Sequence, residues 1–120
     1  MILLRHGESE FNVVYKKTRV DPGIRDPKLT DLGHRQVSEA VGYLKDRTIE
    51  RILTSPYTRA IQTASIVAEA IGVTIEVDPR IGERSAFVCD LGTPGPDLRL
   101  AWPGLDLEHL EEMWWPTPVE

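Results

Sequence analysis

Four side chains in this sequence are of the types that transfer phosphoryl groups, and each follows an apolar run. Arg5-His6-Gly7 comes directly after Ile2-Leu3-Leu4, Ser55-Pro56-Tyr57-Thr58-Arg59 follows Ile49 to Thr54, and Glu83 lies six residues beyond Val77. A neutral imidazole is a nucleophile able to carry a covalent intermediate. Guanidinium groups hold phosphoryl oxygens in a bidentate fork and stay charged at any working pH. A carboxylic acid that protonates a leaving alkoxide contributes roughly 100- to 10,000-fold in rate. His6, Arg5, Arg59 and Glu83 are thus a candidate nucleophile, two anion-binding groups and an acid. Positioning and electrostatics supply most of the remaining catalysis in such chemistry. The set calls for no metal and no cofactor, and the three histidines show no metal-ligand spacing.

These groups can act together only if the chain folds so that the ends of its apolar runs meet. Ile2-Leu3-Leu4 is continuously apolar, as expected of a strand buried on both faces. From Thr30 to about Arg47, Val37, Ala40, Val41 and Leu44 recur at helical spacing, with Thr30 or Asp31 as N-cap. Ile49 to Thr54 predicts a second strand, then Ser55 an N-cap with Pro56 in the first helical turn. Ala60, Ile61, Ala64, Val67, Ala68 and Ile71 form a clear amphipathic stripe that ends at Gly72. Val73 to Val77 predicts a third strand, ended by Asp78-Pro79. Strand, helix, strand, helix, strand implies a three-layer α/β/α domain with a mainly parallel sheet. In such sheets ligands bind beyond the carboxyl ends of the strands, where His6, Arg5, Arg59 and Glu83 would gather.

Two stretches lack this regularity. Residues 12–29 show no periodicity and carry Lys16, Lys17, Arg19, Arg25 and Lys28, five cations suited to attracting an anionic substrate. Residues 85–104, with Gly-Thr-Pro-Gly-Pro and Trp-Pro-Gly, read as a loop, and Leu105 to Trp115 as a short helix before Pro116 and Pro118.

The bulk properties bound the partners. At 120 residues the chain makes a single domain spanning 1–120, with 1–84 as its regular part and 85–120 as an acidic, Trp- and Pro-rich tail. Of the 14 basic side chains only Arg99 lies beyond residue 84, against seven of the 19 acidic ones. A net charge of -5 argues against nucleic acid as partner. The apolar runs are too short to cross a bilayer, and the start of the chain matches no secretory signal. A single cysteine, Cys89, excludes an internal disulfide and points to a cytoplasmic setting. Cysteine-phosphatase chemistry would place an arginine six residues after the nucleophile. That residue is Gly95, so Cys89 is expected to be a buried small hydrophobe.

Three blocks carry a family resemblance. Leu3-Leu4-Arg5-His6-Gly7-Glu8-Ser9 with Asn12, Leu29-Thr30-Asp31-Leu32-Gly33 with Gln36, and Thr54-Ser55-Pro56-Tyr57-Thr58-Arg59-Ala60-Ile61-Gln62-Thr63-Ala64 together resemble the histidine phosphatase superfamily, the phosphoglycerate mutase-like proteins. The resemblance implies that His6 is the phosphorylated nucleophile, that Arg5 and Arg59 bind phosphate, and that Glu83 is the proton donor. It also places Asn12 at the phosphate pocket. The implied activity is hydrolysis of a phosphate monoester on a phosphorylated small molecule, ahead of mutase activity, because nothing specific to a phosphoglycerate site is visible. The alternative is a catalytically impaired or truncated relative acting as an anion-binding or protein-interaction module.

The sequence departs from the family at one point. The family pattern includes a second histidine late in the chain, after a further apolar strand that lies between strands one and two. Neither His34, in the first helix block, nor His109, in an acidic stretch, has that setting. The chain therefore reads as the N-terminal portion of a longer enzyme or as a diverged short relative. His34 and His109 are expected on the surface. Trp114-Trp115, with Trp102 and Met113, is expected to cover the sheet or the site's mouth, or else to anchor a partner. An incomplete sheet leaves exposed edges, and these or the Trp114/Trp115 patch would support a homo-oligomer.

Overall fold

The computed structural model describes residues 1–81 and 90–116. Its elements run α1 (Glu10–Thr18), α2 (Asp31–Leu44), β1 (Ile52–Thr54), α3 (Thr58–Ile71), β2 (Ile75–Val77) and α4 (Gly95–Ala101). The β1–α3–β2 unit is the expected one. Its strands pair in parallel, with Ile52 opposite Ile75, Leu53 opposite Glu76 and Thr54 opposite Val77. A parallel pair needs a crossover, and the α3 stripe supplies one that packs back onto both strands. Gly72 ends α3 in the left-handed conformation at φ 73°, which glycine adopts without a β-carbon penalty.

Two apolar clusters meet α3 at different points along its length. On one, Val67 joins Leu29 and the α2 residues Val37, Val41 and Leu44. On the other, Ile61 joins Val77, Leu98, Leu107 and Leu110. Ile61 is completely buried, and truncation of such a side chain to alanine typically costs about 2–5 kcal/mol. The helix is thus the structural axis between the two parts of the chain. No helix among the described residues is long and apolar enough to cross a membrane.

Four expectations are corrected. Ile2-Leu3-Leu4 is not a strand, and among the described residues the sheet has two strands rather than three. A strand this short exists only through a hydrogen-bonded neighbour. This run pairs with neither edge of the sheet, and its side chains face solvent, Leu3 at 85% exposure. Within residues 12–29, α1 forms where no periodicity is visible. The Ser9 hydroxyl accepts from the Asn12 N–H and the Asn12 side chain accepts from the Ser9 N–H, a reciprocal N-terminal cap. At the other end Arg19 closes the helix at φ 56°, its N–H donating to the Tyr15 carbonyl at 2.8 Å.

Third, α3 starts at Thr58, with Tyr57 rather than Ser55 at the N-cap. Tyr57 provides no side-chain cap, and Asp26, 32 residues earlier, does so instead: it accepts from the Thr58 N–H at 2.9 Å and the Thr58 hydroxyl at 2.7 Å. Fourth, the tail is helical at Gly95–Ala101 and not over 105–115. Pro96 in the first turn, Asp97 beside it and Arg99 in the last turn all favour this shorter helix. Arg99 then donates to the carbonyls of Leu107 and Leu110, both at 3.2 Å, which fixes 107–110 as a turn with both leucines in the core.

Candidate active site

His6 is half-buried, and its Nδ1 lies 2.7 Å from the Gly7 carbonyl oxygen. A carbonyl only accepts, so Nδ1 carries the proton and donates. The lone pair of the neutral ring is then on Nε2. The same glycine ties the loop to α3. Its N–H donates to the Thr63 hydroxyl at 3.3 Å, and that hydroxyl donates to the Arg59 carbonyl at 2.8 Å. One side chain therefore links the backbone beside His6 to the backbone of Arg59.

The rest of the loop is fixed by the other two motif blocks. Thr30 caps α2 by accepting from the Gly33 N–H at 3.0 Å and also donates to the Glu8 carboxylate at 2.9 Å. Gln36 accepts from the Glu8 N–H at 2.9 Å, and Gln62 of α3 accepts from the Leu29 N–H at 2.7 Å. The three conspicuous stretches of sequence thus meet in space. Most of their polar side chains hold backbone to backbone.

Arg59 lies at the start of α3 and is buried. Its guanidinium sits over the Tyr57 ring, 4.5 Å from the centroid. Its Nη2 lies 3.4 Å from Asp90 Oδ1, both side chains being 7% exposed. Tyr57 in turn donates its hydroxyl to the Asp90 carbonyl at 2.7 Å. A buried guanidinium needs a counter-charge, and breaking such a pair by removing one partner typically costs about 3–5 kcal/mol. Asp26 occupies the adjacent helix N-terminus and also accepts from the Thr93 hydroxyl. The two anion-attracting features at this end of α3, the helix terminus and Arg59, each already hold a carboxylate of the chain itself.

The tryptophans pack against this end of α3. Trp114 meets the Tyr57 ring edge-on at 4.8 Å and Trp115 at 5.5 Å, and Arg25 lies 4.9 Å over the Trp115 ring. The Trp114 N–H donates to the Thr93 carbonyl at 2.8 Å. Trp115 is buried and Trp114 half-buried, so the pair is covered within the chain rather than displayed on its surface.

The structure places the sequence-predicted residues as follows. The Gly7 N–H beside His6 and the Arg59 carbonyl are joined through Thr63. Arg5, next to His6, is exposed. Asn12 sits in the first turn of α1, where its Oδ1 accepts from the Ser9 N–H and hydroxyl. Glu83 and Cys89 lie outside the described residues. His34 is exposed on α2, as expected. His109 is exposed as well, as expected, and its ring donates from Nε2 to the Val77 carbonyl at 2.7 Å, tethering the tail to the end of β2. Sequence reasoning assigned no role to Thr63, Asp26 or Asp90. Thr63 stands four residues after Arg59, one helical turn on, and that spacing could have singled it out.

The profile of the histidine phosphatase superfamily (branch 1) matches residues 1–117. The probable phosphoglycerate mutase GpmB of Yersinia enterocolitica is 36% identical over 90 residues, 75% of this chain and 40% of its own length. That of Proteus mirabilis is 38% identical over 81 residues, 68% of this chain and 36% of its own. A mycobacterial glucosyl-3-phosphoglycerate phosphatase solved in complex with VO3 superposes with a TM-score of 0.58 at 34% identity, over 67% of this chain and 36% of that one. A structure described as mycobacterial hydrolase 1 gives a TM-score of 0.56 at 29% identity, over 84% of this chain and 46% of that one. The chain spans about two fifths of the curated relatives it matches.

Proposed function

This chain belongs to the histidine phosphatase superfamily, branch 1, and on that premise we propose that it hydrolyses phosphate monoesters through a phosphohistidine formed on His6. The observation that carries the reading is the hydrogen bond from His6 Nδ1 to the Gly7 carbonyl. It leaves Nε2 as the nucleophilic nitrogen and fixes the plane of the ring. In the first step Nε2 bonds to phosphorus as the phosphorus–alkoxide bond breaks. Glu83, assigned by the family resemblance, gives the leaving oxygen its proton. Water then gives a proton back to Glu83 as its oxygen bonds to phosphorus and the phosphorus–nitrogen bond breaks, which releases inorganic phosphate and restores the imidazole. Arg59 and Arg5 supply positive charge for the equatorial oxygens. The name of one similar structure, a glucosyl-3-phosphoglycerate phosphatase, supports hydrolysis. The curated relatives carry the name of a mutase, which would share the first step and differ in the acceptor.

A second reading, an anion-binding or protein-interaction module without turnover, is favoured by the two remaining histidines. His34 is exposed on α2 and His109 is committed to the Val77 carbonyl, so neither takes the place of the late histidine that the family pattern includes. Incubation with an aryl phosphate separates the readings. Turnover that disappears in His6→Ala supports the phosphatase. Phosphate binding without turnover by the wild-type chain supports the module.

A further inference from the structure

An open concavity of about 300 Å³ lies where α2 and α3 both end. Lys45, the C-cap of α2, and Arg47 line it together with Ile49, Ala70 and Ile71. It is remote from the candidate active site, because α3 runs from Arg59 to Ile71 over about 18 Å at the helical rise. Ile49 and Ile71 are half-buried and pack against the apolar cluster that joins α2 to α3, so the floor is apolar and anchored in the core. The two cations beside it are uncommitted. Neither the Lys45 nor the Arg47 side chain has an ion pair or hydrogen bond among the described residues. Arg51 and Arg80 are exposed as well, yet each grips a carboxylate. Asp46 and Glu50 stand close to Lys45 and Arg47 in sequence but do not line the concavity.

We propose that this concavity binds a small monocarboxylate with an apolar body, its carboxylate held by Arg47 and Lys45 and its body laid on Ile49, Ala70 and Ile71. Size and charge together select that class. The volume is at the lower end of the roughly 300–1,000 Å³ of small-molecule sites, so the ligand is small. Each helix C-terminus carries roughly half a negative charge. Two cations beside two such ends leave about one positive charge, which suits a monoanion better than a phosphate dianion. The Arg47 fork matches a carboxylate in two-pronged geometry, with Lys45 adding a point charge. Cations beside helix C-termini are favourable in themselves, but that role calls for no apolar floor next to them. A bare anion would leave this floor uncovered, and an uncharged apolar molecule would leave both cations unpaired. An occupant would also tie the end of α2 to the end of α3, the two helices whose Gln36 and Thr63 hold the His6 loop. The site draws nothing from the phosphatase reading and stands or falls separately from it.

The test is titration of the whole 120-residue chain with phenylbutyrate, followed by methyl NMR. Phenylbutanol, which lacks the charge, and inorganic phosphate, which lacks the body, serve as comparisons. The methyl resonances of Ile49, Ala70 and Ile71 should move together and saturate, with a Kd of about 1 mM. Phenylbutanol should bind about tenfold more weakly, having lost the charge-assisted hydrogen bonds. Phosphate should leave these resonances in place. The double variant Lys45→Gln with Arg47→Gln should weaken phenylbutyrate about tenfold or more on the same argument. Arg35→Gln, an exposed cation of α2 away from the concavity, should leave binding unchanged. Equal affinity for the alcohol overturns the carboxylate preference, and that comparison needs no variant to fold. Undiminished binding by the double variant, or a response to phosphate as strong as to phenylbutyrate, also overturns the proposal. So does the absence of any saturable shift at about ten times the expected Kd.

Discussion

Gly7 and Gly33 cross with no room for a β-carbon on either. One built on Gly7 overlaps the Gly33 carbonyl, and one built on Gly33 overlaps the carbonyl of Glu8. This contact brings the His6 loop down onto the first turn of α2. It opposes local preference, because glycine inside a helix is about 1 kcal/mol less favourable than alanine. The overlap should win at Gly33. Overpacking typically costs about 1–3 kcal/mol, and here the neighbour is backbone that cannot rotate away. Gly33→Ala should therefore lower the thermal midpoint. Gly42→Ala, in the same helix with nothing near its β-carbon, should raise stability by about 0.5–1 kcal/mol. Equal shifts for the two in calorimetry would show that the crossing is not tight.

The Thr63 hydroxyl holds the Gly7 N–H and the Arg59 carbonyl together, so its loss should register at both places. Thr63→Val keeps the shape and leaves the buried Gly7 N–H without its acceptor, at a cost of about 1–3 kcal/mol. It should also weaken phosphate binding, because the His6 loop is no longer pinned to α3. Thr63→Ser should restore both. Urea unfolding and phosphate titration of the two variants check this. Loss of stability with full phosphate affinity in Thr63→Val would remove the link from the site.

What was legible in the sequence follows the range of the interactions involved. The β1–α3–β2 unit is written in local terms: apolar stripes at strand and helix periods and Gly72 at a helix end. The nucleophile loop and Arg59 were visible because they follow such elements. The partners of that arginine and helix were not. Asp90 stands 31 residues from Arg59, and Asp26 stands 32 from Thr58. A carboxylate that far along the chain leaves no spacing pattern to read. The strand expected at Ile2-Leu3-Leu4 failed for the complementary reason. Its composition suits a buried strand, but a strand is a property of a pair, and no described residue pairs with it.

Acid titration should resolve one half-buried group clearly. The Asp78 carboxyl is drawn down from its usual 3.8 to about 2. The first cause is the side-chain hydrogen bond from Arg80, followed by the Arg80 backbone N–H at 2.9 Å. A carboxylate with a lowered pKa in the folded state contributes stability that is fully present above its unfolded value. That contribution should thus be lost as pH falls from about 3.8 toward about 2. Arg80 is exposed, so salt should weaken the effect. Carbon NMR of the side-chain carboxyl should give a midpoint near 2 in wild type and a return toward 3.8 in Arg80→Ala. Identical midpoints in the two proteins would show that the pair does not form in solution.

The exposed apolar side chains at the start of the chain and on β1 predict self-association. Ile2, Leu3 and Leu4 lie in solvent, and Leu53 on β1 is 46% exposed. β1 pairs with β2 alone among the described residues, and its other edge is not paired with any of them. Trp114 and Trp115 do not share in this surface, because they pack on Tyr57 and under Arg25. The covering partner we expect is a second copy of the chain, with association rising at higher salt, since apolar contact rather than charge drives it. Light scattering should report dimers or larger species. Leu3→Lys together with Leu53→Lys should shift the population toward monomer, because charges on an exposed edge oppose pairing. A wild-type chain that stays monomeric at all concentrations would mean that this surface is tolerated in water.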